Sequence, residues 1–219
     1  MKPVCLVLGA GAGIGGTVAA KFAKEGYHSY LCRRSAQEGL DRLINNIHEA
    51  GGEASGSLMN AIEENTIEET ITMIEKDIGP IEVLVYNLGA QTGMKLLEQT
   101  SYKEFEWGWR MASLGLFRAA KVLCPLMVNR GKGSLLVTSA TAAMRGNMNQ
   151  HSHAAAMGAR RMLCQSLNAE FSSQGIHVAH IVVDGAVDAP DTLGKMMGPE
   201  MYNKFIDTKG MEHDGLILA

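Results

Sequence analysis

The sequence predicts a single doubly wound α/β domain, and three observations carry that prediction. Apolar stretches of strand length alternate with longer helical patterns along most of the chain. The strand-like stretches are continuous apolar runs rather than alternating ones, as in a parallel sheet covered on both faces. The first, Val4–Leu8, runs into five glycines within eight positions, Gly9, Gly11, Gly13, Gly15 and Gly16, and a helical pattern follows. A strand, a sharp glycine turn and a helix N-terminus in that order turn backbone N–H groups and the helix dipole onto one anion. The pyrophosphate of a dinucleotide suits that arrangement. The expected architecture is therefore a Rossmann fold of about six strands, with its crevice at the strand C-terminal ends.

Taken in order, strands are expected at Val4–Leu8, His28–Cys32, Ala54–Met59, Val83–Tyr86, Ser134–Thr138 and His177–Val183, the third being the weakest. Helices are expected between them. Thr17–Glu25 has few breakers and an apolar face at Val18, Ala19 and Phe22; Ala36–Ala50, Glu63–Ile78, Phe105–Arg130 and His153–Ser173 follow. No linker, repeat or low-complexity block divides the chain. Residues 1–189 read as the dinucleotide-binding domain. From 190 to 219 the periodicity weakens, and Pro190, Gly194, Gly198, Pro199 and Gly210 break a tail that suits a lid or a disordered end.

Composition narrows the function. A chain of 219 residues, 46% apolar and 20% charged, has the make-up of a soluble globular domain with ample core. A net charge of −3 offers no electrostatic case for nucleic acid or an anionic membrane. No stretch approaches the roughly 18 unbroken apolar residues of a membrane span. Pro3–Leu8 is too short for the apolar region of a signal peptide. Cys5, Cys32, Cys124 and Cys164 are widely spaced in apolar segments, which reads as buried free thiols in a reducing, cytoplasmic compartment. Fourteen methionines against 5% aromatics point to a core filled by flexible side chains.

The glycines fit two registers. Gly11-x-Gly13-x-x-Gly16 matches the common dinucleotide fingerprint, and Gly9-x-x-x-Gly13-x-Gly15 its longer variant. About 20 residues on, an NAD site places an Asp or Glu on the ribose 2′-hydroxyl. Here the second strand ends in Cys32-Arg33-Arg34 with no acid in reach. Two guanidiniums pair with a 2′-phosphate and no carboxylate repels it, so NADP(H) is favoured over NAD(H). A solvated basic strand end is the plainer reading of the same pair. Asn60-Ala61 falls where an adenine edge can be hydrogen-bonded, and Asn87-Leu88-Gly89-Ala90 adds a second glycine turn beside the crevice. The expected cofactor-binding residues are Gly9, Gly11, Gly13, Ile14, Gly15, Arg33, Arg34, Asn60, Ala61, Asn87 and Gly89.

With Gly133-Ser-Leu-Leu-Val-Thr-Ser139 as the fifth strand, and Asp184-Gly185-Ala186-Val187 where Pro-Gly is usual, the chain resembles the short-chain dehydrogenase/reductase family from Pro3 to about Pro190. The resemblance implies hydride transfer between NAD(P)(H) and an alcohol or carbonyl. It also implies a Tyr acid/base with a Lys four residues later, a Ser thirteen residues earlier that binds the substrate oxygen, and an upstream Asn that holds a relaying water. Positions i and i+4 share a helical face, so the cation biases the phenol and also binds the ribose. In this chain those positions read His153, Met157, Ala140 and Ala112, and Ala189 stands where a Thr usually holds the carboxamide.

An imidazole donates protons well at neutral pH, which makes His153 the candidate acid/base. Met157 lends it no charge, and acid/base catalysis alone supplies about 10²–10⁴-fold. Ser139 would point to the other face of the strand, and neither it nor Ser152 has a base at useful spacing. His151-x-His153 has no Cys, Asp or Glu nearby to complete a shell, so no metal is expected. The expected function is NADP(H) binding by a catalytically impaired member acting as sensor, scaffold or partner subunit. The alternative is an NADPH-dependent oxidoreductase that turns over a small carbonyl or alcohol with non-standard residues. A structural subunit with an empty cleft is the third reading. The family continues into one more helix and a seventh strand, whereas Asp214-Gly-Leu-Ile-Leu-Ala219 stands where that helix begins. A shortened form, or a partner covering the sixth-strand region, is expected. Helices 105–130 and 153–173 are apolar on several faces, which suits a homodimer contact as well as deep packing on the sheet.

Overall fold

The computed structural model describes residues 1–89, 95–185, 187 and 198–209. Strands β1 (Val4–Leu8), β2 (His28–Arg33), β3 (Glu53–Leu58), β4 (Ile81–Tyr86), β5 (Gly133–Ala140) and β6 (Ile176–Val183) form one parallel sheet in the order β3-β2-β1-β4-β5-β6. The chain crosses from β3 to β4 past the centre, so the ends of β1 and β4 lie side by side where the strand order reverses. In such sheets that point is the ligand crevice.

Both faces are covered over the central strands. Cys5, Val7, Leu31, Val83 and Val85 pack beneath α1 (Ile14–Lys24) and α2 (Gln37–Glu49) through Ala19, Ala23, Leu40 and Ile47. Their strand neighbours Leu6, Leu8, Leu84, Tyr86, Leu135 and Val137 face α3 (Thr66–Asp77), α5 (Gly115–Arg130) and α6 (His151–Phe171). Two-sided cover explains why β1 is apolar at every position and wholly buried. Beyond β5 the cover thins: β6 is the edge among the described residues, and Ile181, Val182 and Val183 are only half-buried.

The expected helices all form, with shifted ends. α1 begins at Ile14, inside the glycines, rather than at Thr17. Gly15 and Gly16 in its first turn lie against the Gly9 and Gly11 carbonyl oxygens, which leaves no room for a side chain at either position. The long helix is one helical run, Tyr102–Arg130, made of α4 (Tyr102–Trp109), a π-helical turn (Arg110–Leu114) and α5. It is long and apolar enough to cross a membrane, yet 56% of its most apolar window is buried, the packing of a core helix. Arg110, Arg118 and Lys121 interrupt it. The tail, read as short broken pieces, carries an eleven-residue helix, α7 (Pro199–Lys209). Pro199 at its first position and Glu200 in its first turn are ordinary start signals, hidden because Pro was read only as a breaker. The closing Asp214–Ala219 segment lies outside the described residues. All four cysteines are buried free thiols. Burial pushes Cys32 up to about 12 and Cys124 and Cys164 to about 11, so none is a nucleophile at neutral pH.

Helix α5 is tied to α3 by Arg118, whose Nε and Nη2 both donate to the Glu68 carboxylate at 2.7 Å. That pairing holds the Glu68 carboxyl below its usual range. A depressed folded-state pKa stabilises at pH above the unfolded value of about 4.3, and the gain is lost as pH falls through the folded value. Glu68→Gln should therefore cost about 1 kcal/mol at pH 7. In urea denaturation, the gap to the parent chain should close as pH drops below about 4.

Candidate functional site

The crevice is built by the turn between β1 and α1. Gly9 adopts φ +97°, and its N–H and that of Ala10 both donate to the Cys32 carbonyl at 3.0 and 2.9 Å. Only glycine fits there: a Cβ on Gly9 would lie 2.6 Å from the Asn87 carbonyl oxygen. On Gly15 it would lie 2.3 Å from the Gly9 oxygen. The N-cap of α1 is Gly13, which has no side chain to cap the first turn; Gly16 N–H is taken by the Gly11 carbonyl at 2.8 Å, and Ile14 and Gly15 lie at the crevice wall. Asn87 fixes the opposite wall. Its Nδ2 donates to the Gly9 carbonyl at 2.9 Å, and its Oδ1 accepts from Thr138 Oγ1 at 2.7 Å.

A cavity of about 600 Å³ results, and Gly9, Gly11, Gly13, Ile14, Gly15, Arg33, Arg34, Asn87 and Gly89 all line it. Arg33 packs its guanidinium over Gly39 of α2, and neither Arg33 nor Arg34 is in an ion pair among the described residues. Asn60 and Ala61 depart from expectation, since neither lines this cavity. Ala61 belongs to the hydrophobic core, and Asn60 Nδ2 donates to Glu63 Oε1 at 2.7 Å. The Asn60 Oδ1 acceptor nevertheless stays buried without a partner. Trp107 and Met111 also line the cavity, and no spacing in the sequence marked them.

Next to it lies a cavity of about 170 Å³ lined by Thr138, Ser139, Ala140, His153, Met157 and Arg160 together with Asn87–Gly89. Ala112 joins Ala140 and Met157 in one apolar cluster with Ala142, Ala143 and Ala156. The four positions singled out by the sequence thus come together, and three of them are apolar. Ser139, expected on the other face of the strand, lines this same cavity, and its Oγ contacts the Met157 sulfur at 3.7 Å; Ser152 Oγ is bound to the Glu104 carbonyl. Ala90, Ala186 and Ala189 lie outside the described residues.

Arg160 was not expected here. It lies on the His153 face of α6, one turn beyond Met157, and only 2% of it is exposed. Nε donates to Ala112 O at 3.0 Å, Nη1 to Thr138 O at 2.7 Å and Nη2 to Leu88 O at 2.6 Å. The guanidinium also sits over the Tyr86 ring, 5.2 Å from its centroid. No carboxylate pairs with it among the described residues. Tyr86 in turn donates its hydroxyl to Met111 O, and burial pushes its phenol up so that it stays a neutral donor. Both carbonyls lie in the π-helical turn, whose wider ring disturbs the usual bonding to the next turn. The spacing 153, 157, 160 on one helical face was the available signal.

The Tyr86 hydroxyl occupies the space a side chain at Gly115 would need, 2.3 Å from its Cβ position. Gly115→Ala should destabilise the chain by roughly 1–3 kcal/mol through overpacking. Combined with Tyr86→Phe it should cost less than the two single changes added together, as read by denaturant midpoints.

Residues 3–194 match the model of the short chain dehydrogenases. The chain is 26% identical over 191 residues to a 3-oxoacyl-acyl-carrier-protein reductase of Thermotoga maritima, covering 86% of this chain and 76% of that one. It is 25% identical over 185 residues to the 2,3-dihydro-2,3-dihydroxybenzoate dehydrogenase of Bacillus subtilis, covering 84% and 70%. A short-chain dehydrogenase structure from Rhodopseudomonas palustris superposes with a TM-score of 0.78 at 26% identity, covering 98% of this chain and 95% of that one. A Burkholderia cenocepacia gluconate 5-dehydrogenase, solved with NADP and tartrate, shares the fold at a TM-score of 0.76 and 24% identity, covering 83% and 71%. With its glycine turn, sheet order and helix pattern matched over nearly the whole described chain, this protein belongs to the short chain dehydrogenase family.

Proposed function

We propose that the chain binds NADP(H) along the crevice and is impaired in the family's acid/base step. One observation carries the reading. The glycine turn, Arg33 and Arg34 share one cavity with Asn87–Gly89, while the adjoining cavity presents Ala140, His153 and Met157. The residues fit the cofactor. Gly9 and Gly15 leave a backbone cradle with no space for a Cβ, and the uncapped first turn of α1 would hold the pyrophosphate. Arg33 and Arg34 would hold the 2′-phosphate that distinguishes NADP(H) from NAD(H). Bound there, the cofactor would supply hydride chemistry. The protein's side of that chemistry, a positioned proton donor and an oxygen binder, is thin: Ala140 donates nothing and Met157 carries no charge.

A second reading has specific support. His153 lines the same cavity as Thr138 and Ser139, so a slow reduction of a small carbonyl with His153 as proton donor is consistent with the geometry. The role of sensor, scaffold or partner subunit follows from the first reading. Association through helices 105–130 and 153–173 is part of the proposal, with a second copy as the partner. It is supported by half-exposed Phe105, Trp109 and Phe117 on α4 and α5 and Met162 on α6. The buried thiols support a reducing, cytoplasmic setting.

Fluorescence titration with NADPH should show saturable binding, at least tenfold tighter than NADH, and Arg33→Ala/Arg34→Ala should erase that difference. Absence of binding would remove both readings. NADPH consumption over a panel of aldehydes, ketones and quinones should stay at background. A rate that disappears in His153→Ala would replace the first reading with the second.

A further inference from the structure

Burying a lone cation is expensive, and proteins usually give it a carboxylate. Arg160 has none among the described residues. Three main-chain carbonyls and the face of Tyr86 stabilise it instead. Carbonyl dipoles and a ring quadrupole lower the cost of the charge but do not cancel it, and a guanidinium stays ionised at neutral pH. A full positive charge is therefore fixed at the wall of the smaller cavity. That wall also carries Ile14, Asn87 and Gly89, which line the larger cavity too.

The consequence depends on what enters. If the dinucleotide runs from Arg33 and Arg34 past the glycine turn, its nicotinamide end comes to the cavity of His153, Met157 and Arg160. The oxidised nicotinamide ring is a cation and the reduced ring is neutral. Among the described residues no carboxylate lines this cavity to offset the repulsion, and its other polar groups are Asn87, Thr138, Ser139 and His153. Two like charges within about a nanometre, at an effective dielectric of about 20, change a binding constant roughly tenfold.

We infer that Arg160 makes the site selective for the reduced cofactor, so that the chain takes NADPH in preference to NADP⁺. This rests on the cofactor reading above and adds to it the redox form. Such a protein is filled or emptied by the ratio of the two forms. With an impaired proton donor it holds the reduced form rather than consuming it, and its occupancy reports the reducing poise of its compartment. The selectivity comes from the charge of Arg160, not from its hydrogen bonds, and that distinction is testable.

The experiment is competitive titration of the full chain with NADPH and NADP⁺, in the parent and in Arg160→Lys and Arg160→Gln. The parent should bind NADPH at least tenfold more tightly than NADP⁺. Arg160→Lys, which keeps the charge, should keep most of that ratio; Arg160→Gln, which keeps donors without charge, should bring it near one. Equal affinities in the parent overturn the inference, and so does an unchanged ratio in Arg160→Gln, while in both cases cofactor binding itself survives. No binding of either form overturns the cofactor reading and the inference with it. Should Arg160→Gln fail to fold, Met157→Lys adds a second cation to the same cavity and should raise the ratio further. An unmoved ratio there also overturns the inference.

Discussion

The carboxamide of Asn87 is the constraint on which the crevice depends. One side chain donates to the Gly9 carbonyl and accepts from Thr138, so it joins the ends of β1, β4 and β5 at the point where the strand order reverses. Gly9 takes its left-handed conformation because it has no Cβ, and the Asn87 main chain fills the space a side chain there would need. Gly15 then lies against Gly9, which sets the direction of α1 and places its first turn at the crevice wall. A polar group of this kind, satisfied on both sides, rigidifies what it joins. The shape of the crevice is thus a property of three strand ends locked together rather than of the glycine motif alone.

Chemistry at the other end of the crevice is organised differently. The π-helical turn presents its carbonyls toward the sheet, and two of them are taken by Tyr86 and Arg160. Where a neutral polar network would leave places for water and protons, this arrangement spends them on holding a charge. The alanines at 112, 140, 142, 143 and 156 close the remainder with apolar surface. Phosphate binding and proton transfer rest on separate residues, and a chain can keep one without the other.

The sheet and the first cavity were legible because they rest on strong local signals. Apolar runs marked each strand, and glycine at a strand end marked the turn. The pair Arg33-Arg34 followed from the place where a strand must stop. That Ala140, His153 and Met157 stand where the family carries Ser, Tyr and Lys came from the resemblance, with the family's spacing laid on this sequence. Other features were hidden for physical reasons. A π-turn inside an apolar helix leaves the composition unchanged. Arg160 was not singled out by the sequence, and the fold turns it inward while the neighbouring Arg161 is less buried. Asn60 sat at the right strand end, yet its amide is held by Glu63 and Ala61 is packed in the core. Such pairings depend on contacts distant in sequence, which periodicity cannot report.

The strand order also bears on how the chain is made. β1 precedes the other five strands in the chain, is apolar at all five positions, and belongs at the centre of the sheet. One neighbour, β2, follows quickly, but the other, β4, begins only at Ile81, and the helix that covers the same face, α5, begins at Gly115. Ribosomes add about 5–20 residues per second, so this central strand waits for seconds with one edge and one face unsheltered. Its glycine-rich exit and the prompt pairing with β2 limit that exposure. Until β4 arrives, the edge of β1 that it fills stays open to other pairings.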